Sequence, residues 1–447
     1  MYYNTLHSIR KSYYSMPSRS NIASKIASGL RGYGENVRAF SRNASLYLIS
    51  TVISSAAFGV FRLLFNFYVF SLRYDEALVG NLVTTSSLTA LIAAVPMGYL
   101  ADMLGRKTSL IGGGSLTIIA IAGMLLFPSP TTFIIMNVLM GLGHSISGVT
   151  MGPFLMENSA EKERTYLFSF SSGLSMAASS VGNWIGGLLP TWLAGVAGGS
   201  ATSPAAYRLS LAVVAVTASL SIIPLVMLII RRGKVTERSL FAPFSYFKEH
   251  PALLGKLVLP MLVTSIGAGL IMPFMNIFFR QVHNQSDSAI GTLFAFGSLA
   301  MGIGLLIAPP LAERYGKIQL VVITQALSIP FLAMLGFAPL YWLSASAYYI
   351  RVALMNMSSP VYQTFVMEKV EPSARATVAS LVSMANSFGW AFSPTISGEI
   401  QVRYGFGPAF VLTIVFYVVS ILMYWGFFWR SGAKKNKKIP LVEDQPV

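Results

Sequence analysis

Gly98-Tyr99-Leu100-Ala101-Asp102-Met103-Leu104-Gly105-Arg106-Lys107 recurs in degenerate form 211 positions later as Pro309-Pro310-Leu311-Ala312-Glu313-Arg314-Tyr315-Gly316-Lys317. Each copy joins two long apolar runs, and the same displacement carries Glu157 onto Glu368 and Arg164 onto Arg375. An acid, a glycine, a base and a further acid–base pair that move together describe an internal duplication. The chain therefore reads as two copies of one module.

That module is a membrane one. Mean hydropathy is +0.62 and only 11% of residues are charged, too few to solvate the surface of a water-soluble protein of this length. Apolar stretches of about 20 residues cross a bilayer as helix. Twelve recur, at roughly 45–71, 78–101, 108–127, 131–156, 166–192, 207–230, 253–279, 290–312, 318–338, 341–367, 377–401 and 408–430. Strict alternation of the barrel kind is absent, so these are helices, which satisfy their own backbone groups in lipid. The expected fold class is an all-α membrane protein with 12 transmembrane helices in two pseudo-symmetric six-helix bundles. The expected divisions are a basic tail 1–44, a first bundle 45–232, a linker 233–252, a second bundle 253–430 and a basic tail 431–447.

The net charge of +16 follows location rather than a nucleic-acid partner. With both termini cytoplasmic, 26 of the 32 Lys and Arg fall in cytoplasmic segments, which is the positive-inside pattern. The expectation is a multi-pass protein of the plasma membrane, monomeric, with no nucleic acid bound. Residues 1–44 hold seven basic residues, eight serines and one acid, Glu35. A transit peptide has that composition, and so does a plain tail lying near anionic headgroups; no apolar signal core precedes Ser45. The aromatic linker stretch Leu240–Phe247 is expected in the headgroup layer. The absence of cysteine excludes disulfides, thiol chemistry and cysteine-held metal.

The glycine–acid–glycine–base loop between runs two and three, repeated between eight and nine, resembles the signature loop of the major facilitator superfamily. The pairs Glu157/Arg164 and Glu368/Arg375, both Glu-x6-Arg, resemble the companion motif at the inner ends of helices four and ten. Twelve runs and a long central linker agree, so the resemblance covers nearly the whole chain after residue 44. It implies a secondary active transporter that moves a small organic solute by alternating access, and duplicated bundles are the usual build of such carriers. The implied partners are that solute, the bilayer, and protons or another coupling ion. No catalysis, cofactor or metal is expected. Gly112-Gly113-Gly114 lacks the following Lys-Ser/Thr of a Walker loop and reads as packing.

Asp102 lies three residues before Gly105 and four before Arg106. A carboxylate there favours a facing helix N-terminus, whose free amides carry about half a positive charge; in the family that terminus would be the helix starting near Thr377. Gly98 is expected to permit close approach, and Arg106 and Lys107 to stay with the phosphates. Glu157, Arg164, Glu368 and Arg375, with Glu313, Gly316 and Lys317 of the second loop, complete a candidate gate between the halves. Such a latch holds in one state and breaks in the other. Solvated charges that set only topology are the plainer alternative.

Arg62 and Arg351 lie well inside apolar runs, where an arginine costs at least about 2.5–3.5 kcal/mol and so faces a watery cavity or a partner. Arg62 shares a helical stripe with Ser55, Gly59 and Asn66, and Arg351 one with Tyr348, Met355, Ser358 and Tyr362. Run four offers Asn137, Gly141, His144 and Gly148, and run seven Ser265, Gly269, Met272 and Asn276. In the family these four helices line the central cavity. Guanidinium pairs well with carboxylate or phosphate. The candidate substrate-binding residues are thus Arg62, Asn66, Asn137, His144, Asn276, Tyr348, Arg351 and Tyr362, and the favoured solute is anionic or zwitterionic. Two alternatives stay open: Arg62 can snorkel, and Arg351 can pair with Glu399. No acid lies mid-membrane in the first half. His144, which titrates between pH 5 and 8, and secondly Glu399, are therefore the proton-coupling candidates, although a lone histidine also serves as a packing hydrogen-bonder.

The chain departs from two subfamilies. The helix-four arginine of drug–proton antiporters would align near Asn137, and their helix-five glycine–proline pair reads Gly182-Asn183. Sugar porters carry a Pro-Glu-Ser-type motif after helix six, where this chain reads Arg231-Arg232-Gly233-Lys234-Val235-Thr236-Glu237-Arg238. Efflux of lipophilic cations or neutral drugs, using the Phe, Tyr and Met lining, remains the alternative function. A non-transporting receptor or scaffold is the alternative from a different class.

Overall fold

The computed structural model describes residues 40–229, 250–370 and 375–429, the side chains of 161–166, 375–377 and 379–380 excepted. The expected tails and central linker lie almost wholly outside the described residues. Twelve long helices follow in order: α1 (Arg42–Ser71), α2 (Glu76–Leu104), α3 (Arg106–Leu126), α4 (Pro130–Glu157), α5 (Glu161–Leu193), α6 (Pro204–Val226), α7 (Pro251–Gln281), α8 (Asp287–Tyr315), α9 (Lys317–Phe337), α10 (Tyr341–Lys369), α11 (Arg375–Tyr404) and α12 (Phe406–Trp429). Helix α6 stops four residues short of the sequence expectation, because the apolar run continues past the helix through Met227, Leu228 and Ile229. Nine of the twelve are long and apolar enough to cross a membrane. The other three, α5, α10 and α11, are as long but richer in small and polar residues, which the seams and cavity described below put to use.

Local chemistry sets the ends. Ser129 and Ser203 cap α4 and α6, each accepting a backbone N–H, with proline at the first helical position. Proline there loses no hydrogen bond and its fixed φ suits the helix. Asp75 and Ser286 cap α2 and α8 in the same way. The duplicated loop becomes a one-residue corner in both copies: Gly105 (φ +83°) turns α2 into α3, and Gly316 (φ +92°) turns α8 into α9. An L side chain is strained at such angles, so the glycine of the repeat is fixed by backbone conformation.

The face that holds these corners also carries Arg42, Lys107, Arg314 and Lys317 and is called the basic face; the opposite one is the far face. Three apolar cores divide between them. On the far side one core joins both halves, packing Phe61, Leu64 and Phe67 with Phe274, Phe278 and Phe410. On the basic side the cores are separate. One is built from the first half around Tyr47, Leu110 and Phe154, the other from the second around Leu257, Tyr362 and Tyr424. The halves are fused at the far face and apart at the basic face.

Two seams, α2–α11 and α5–α8, make that junction, and they obey the repeat. A Cβ on Gly80 of α2 would lie 2.3 Å from the Pro394 carbonyl, and one on its repeat-mate Gly291 of α8 would lie 2.5 Å from the Asn183 carbonyl. Likewise Gly398 meets the Glu76 carbonyl at 2.5 Å and its mate Gly187 meets the Asp287 carbonyl at 2.6 Å. Backbone packs directly on backbone, which is how helices associate without a hydrophobic drive.

Gly105→Ala and Gly316→Ala are each expected to cost ~1–2 kcal/mol. Gly98→Ala, at a helical position with nothing within 4 Å of the added methyl, should leave stability unchanged or raise it by up to about 1 kcal/mol. The order of thermal melting points in detergent checks both.

Candidate functional site

A cavity of about 590 Å³ lies between the halves, closed on the far side by the shared core. Helices α1, α2 and α4 supply one wall, and α7 and α10 with parts of α8, α9, α11 and α12 the other. Its charged lining consists of Arg62 and Arg351; no Asp, Glu or Lys is among the described residues that line it.

Arg351 is only 2% exposed. Its Nη2 donates to the Tyr417 hydroxyl at 3.1 Å and its Nη1 to the Met272 sulfur at 3.8 Å, and the group stands 5.6 Å from the Tyr417 ring centroid. Its Nε has no partner. No carboxylate among the described residues neutralises it: Glu399 bonds instead to Arg403 at 3.6 Å, both exposed, at the far end of α11. The suggested Arg351–Glu399 pair is thereby corrected, and Glu399 is not among the cavity residues. Arg62 lines the cavity and makes no hydrogen bond or ion pair with a described residue. His144 also faces the cavity, edge-on to Phe58 at 5.3 Å.

Other expected ligand groups are already engaged. Asn66 donates to the Asn276 side-chain oxygen and to the Pro273 carbonyl, both at 2.9 Å. Asn276 donates to the Leu63 carbonyl at 2.9 Å. Each asparagine thus bonds the carbonyl three residues before the other, a reciprocal clamp between α1 and α7 on the pseudo-twofold axis. Asn137 bonds back to the Phe133 carbonyl at 2.8 Å. The Tyr362 hydroxyl donates to the Leu257 carbonyl, and its ring packs on Tyr424. Tyr348 is packed by Phe294 and Phe279 with its edge toward the cavity. All eight expected binding residues line the cavity; Arg62, His144, Tyr348 and Arg351 keep polar groups available there, while the asparagine clamp, Asn137 and Tyr362 make bonds within the protein.

A second tie across the far face was not read from the sequence. Arg280 of α7 pairs with Asp287 of α8 at 3.0 Å, lies over the Phe67 ring of α1 at 4.2 Å, and donates to the Tyr207 hydroxyl of α6 at 2.5 Å. Tyr207 in turn donates to Asp287 at 2.6 Å. Gln281 reaches Glu76 across the same face. In the adjoining loop, burial against Phe278, Phe279 and Tyr341 pushes the His283 imidazole below its ordinary pKa.

On the basic face no cross-half ion pair is made among the described residues. Asp102 accepts from Arg106 at 2.6 Å rather than facing α11, and Arg106 also reaches Glu157 at 3.1 Å. In the second half Lys317 pairs with Glu368. These are repeat-mates: each half closes the same base on the same acid within itself. Glu313 has no ion-pair partner among the described residues, and the side chains of Arg164 and Arg375 lie outside them. Gly98 does not support a close approach, since the halves are apart at this level.

The sequence reading missed Tyr417, Gln325 and Asn386 as cavity residues and Tyr207, Arg280 and Asp287 as the far-face tie. Gln325 was visible as an isolated polar residue in apolar α9, where it bonds Ser358 at 3.2 Å. Asp287 looked like a helix-start charge, which it also is.

A duplicated helical bundle with a central cavity between two halves, joined on one face only, defines a membrane carrier. The Major Facilitator Superfamily model matches residues 47–264 and 257–445, and the chain belongs to that family, as a multi-pass transporter rather than an enzyme. It is 22% identical over 408 residues to the multidrug resistance protein MdtG of Enterobacter lignolyticus, covering 88% of this chain and 94% of that one. Among solved structures it superposes on the nucleoside transporter NupG with a TM-score of 0.73 at 15% identity, covering 86% of this chain and 100% of the other. The D-xylose–proton symporter gives 0.65 at 17% identity, over 86% and 95% of the two chains.

Asn276→Ala and Arg280→Gln are each expected to release the far face. The chain has no cysteine, so Ser87→Cys is a single reporter inside the cavity. Far-side labelling of that cysteine by a membrane-impermeant thiol reagent should quicken about fivefold for each ~1 kcal/mol of closure removed; an unchanged rate in both variants would show that neither tie holds the face shut.

Proposed function

We propose that the chain carries an organic anion or zwitterion across the membrane by alternating access, and that the basic face is cytoplasmic, with both termini on that side of a plasma membrane. The conformation described is then inward-open. The observation that carries the reading is Arg351: a nine-tenths-buried guanidinium with an unpartnered Nε, in a cavity that holds a second arginine and no acid among its described lining. A buried charge without a counter-ion is costly, and an anionic solute supplies the missing partner bidentately. The cavity is of drug-like size. The proposed working unit is a monomer, with the cavity formed between the two halves of one chain.

Multidrug efflux is the second reading. It is favoured by the name of the MdtG relatives and by the stacked Phe58, Phe61 and Phe65 on one wall facing Met261, Met272, Met275 and Met355 on the other. Flexible methionines suit varied ligands. Against it stand the two arginines and the absence of a cavity acid to hold a lipophilic cation.

The test is thermal stabilisation of the purified protein by a matched set of benzoate, benzamide and benzyltrimethylammonium, extended to further organic anions, with Arg351→Gln beside the natural chain. Stabilisation by anions, lost at least about tenfold in affinity in Arg351→Gln as expected for a charged hydrogen bond, supports the anion carrier. Stabilisation by the cation, unchanged in the variant, moves efflux to first place.

A further inference from the structure

A second cavity of about 390 Å³ lies behind the first, inside the first half, among α1, α3, α4, α5 and α6. Hydroxyl groups line it, including Ser147 and Ser179, whose Oγ atoms make no hydrogen bond in the structure, and it has room for several waters. Among the described residues only Phe58 and His144 line both cavities, and their rings meet edge-on at 5.3 Å. His144 therefore borders both spaces: the imidazole faces the solute space on one side and, on the other, a mainly apolar pocket with hydroxyl groups on its wall. Arg62 lies one helical turn beyond Phe58 on the same face of α1.

The charges around this imidazole are few. Facing the two cavities, α1 brings Arg62 and Tyr47, α10 brings Arg351, Tyr348 and Tyr362, and α12 brings Tyr417 and Tyr424; the described residues of the other helices bring no titratable or charged group. A proton on His144 would be a third positive charge in a space with no negative one. A bound anion supplies the missing negative charge. Resting on the anion-carrier reading, we propose that His144 carries the coupled proton and that the solute itself is its counter-charge, so that anion and proton are taken up together.

The proton adds to the free lone pair of the neutral imidazole and no covalent bond to the solute forms. Empty, the cavity holds the two arginine charges; with a monoanion and a proton aboard it holds the same net charge. Empty and fully loaded carriers then reorient with equal cavity charge. A carrier holding the proton alone encloses three positive charges, which is expensive in a low dielectric, so the proton is held only with the anion. Their attraction couples the two binding steps, and by linkage it is reciprocal: the anion raises proton affinity by the factor by which the proton raises anion affinity.

The experiment uses the full chain in detergent and benzoate, which stays ionised above about pH 6, or, should benzoate fail, the anion of the set that stabilises best. Calorimetric titration in two buffers of different ionisation enthalpy reads the protons bound per anion, and the affinity is followed from pH 5.5 to 8.5. Expected for the natural chain is uptake approaching one proton, with affinity falling by up to about tenfold per pH unit across the imidazole range. His144→Gln and His144→Asn should bind with no proton uptake and a flat pH profile, a readout that loss of packing alone would not flatten. Binding without proton uptake in the natural chain, or uptake that persists in both variants, overturns the proposal and leaves the anion carrier standing. Absence of stabilisation by any anion, or stabilisation that Arg351→Gln retains in full, overturns the anion reading and this proposal with it.

Discussion

The side-chain amides of Asn66 and Asn276 meet at the centre of the molecule, and the rest of the structure depends on where they meet. A primary amide inside an apolar core costs several kcal/mol unless it is bonded, and each of these donates its amide hydrogens to the other half. The Asn276 oxygen also accepts from the Ile277 N–H of its own half. The far-face core that forms around the clamp closes the cavity on that side, so the cavity opens on the basic side. The reciprocity of the bonds reflects the duplication: a residue near a pseudo-twofold axis meets the neighbourhood of its own repeat-mate, here Asn276, one residue from the Ile277 that the 211-residue displacement pairs with Asn66.

Charge is used in opposite ways at the two faces. At the basic face each half neutralises itself, Arg106 on Asp102 and Glu157, Lys317 on Glu368. At the far face Arg280 and Asp287 of the second half reach over Phe67 and Tyr207 of the first. Closing the basic face would let those self-contained pairs exchange partners across the halves, while opening the far face would hydrate Arg280 and Asp287. Such exchanges replace bonds instead of merely breaking them, which keeps the two states within the few kcal/mol that a solute can tip.

Much of this was legible in the sequence. The repeat gave the duplication, the apolar runs gave twelve helices, and the 211-residue displacement that relates Glu157 to Glu368 and Arg106 to Lys317 also relates the two ion pairs they form. What the sequence does not carry is the conformational state, so the latch read as spanning the halves is found divided between them. Asn66 and Asn276 were read as cavity ligands because cavity floor and seam lie along one continuous helix stripe; a stripe says which way a residue faces, and the partner on that face decides its role. Arg280 and Asp287 sit at helix ends, where charges are solvated by default, and only the approach of Phe67 and Tyr207 removes the water. Tyr417 escaped notice because α12 is apolar throughout and a tyrosine there reads as core, which its ring is; its hydroxyl alone touches Arg351.

The glycines show how the same seams serve the other state. On the closed side Gly80, Gly187, Gly291 and Gly398 are crowded against facing backbone so tightly that no methyl fits. Toward the open side of the same helices, Gly98 of α2 and Gly173 of α5 meet nothing within 4 Å, and Gly302 of α8 meets only the Met176 sulfur at 3.7 Å. Bare backbone with no neighbour contributes nothing to the conformation in which it is found, and a glycine there forgoes helix stability that alanine would add. Close helix approach is what small residues make possible in a membrane bundle, and these positions give the basic side the means for it. The far-face contacts and the vacant basic-face glycines are therefore two ends of one pair of seams, each end able to close only as the other opens.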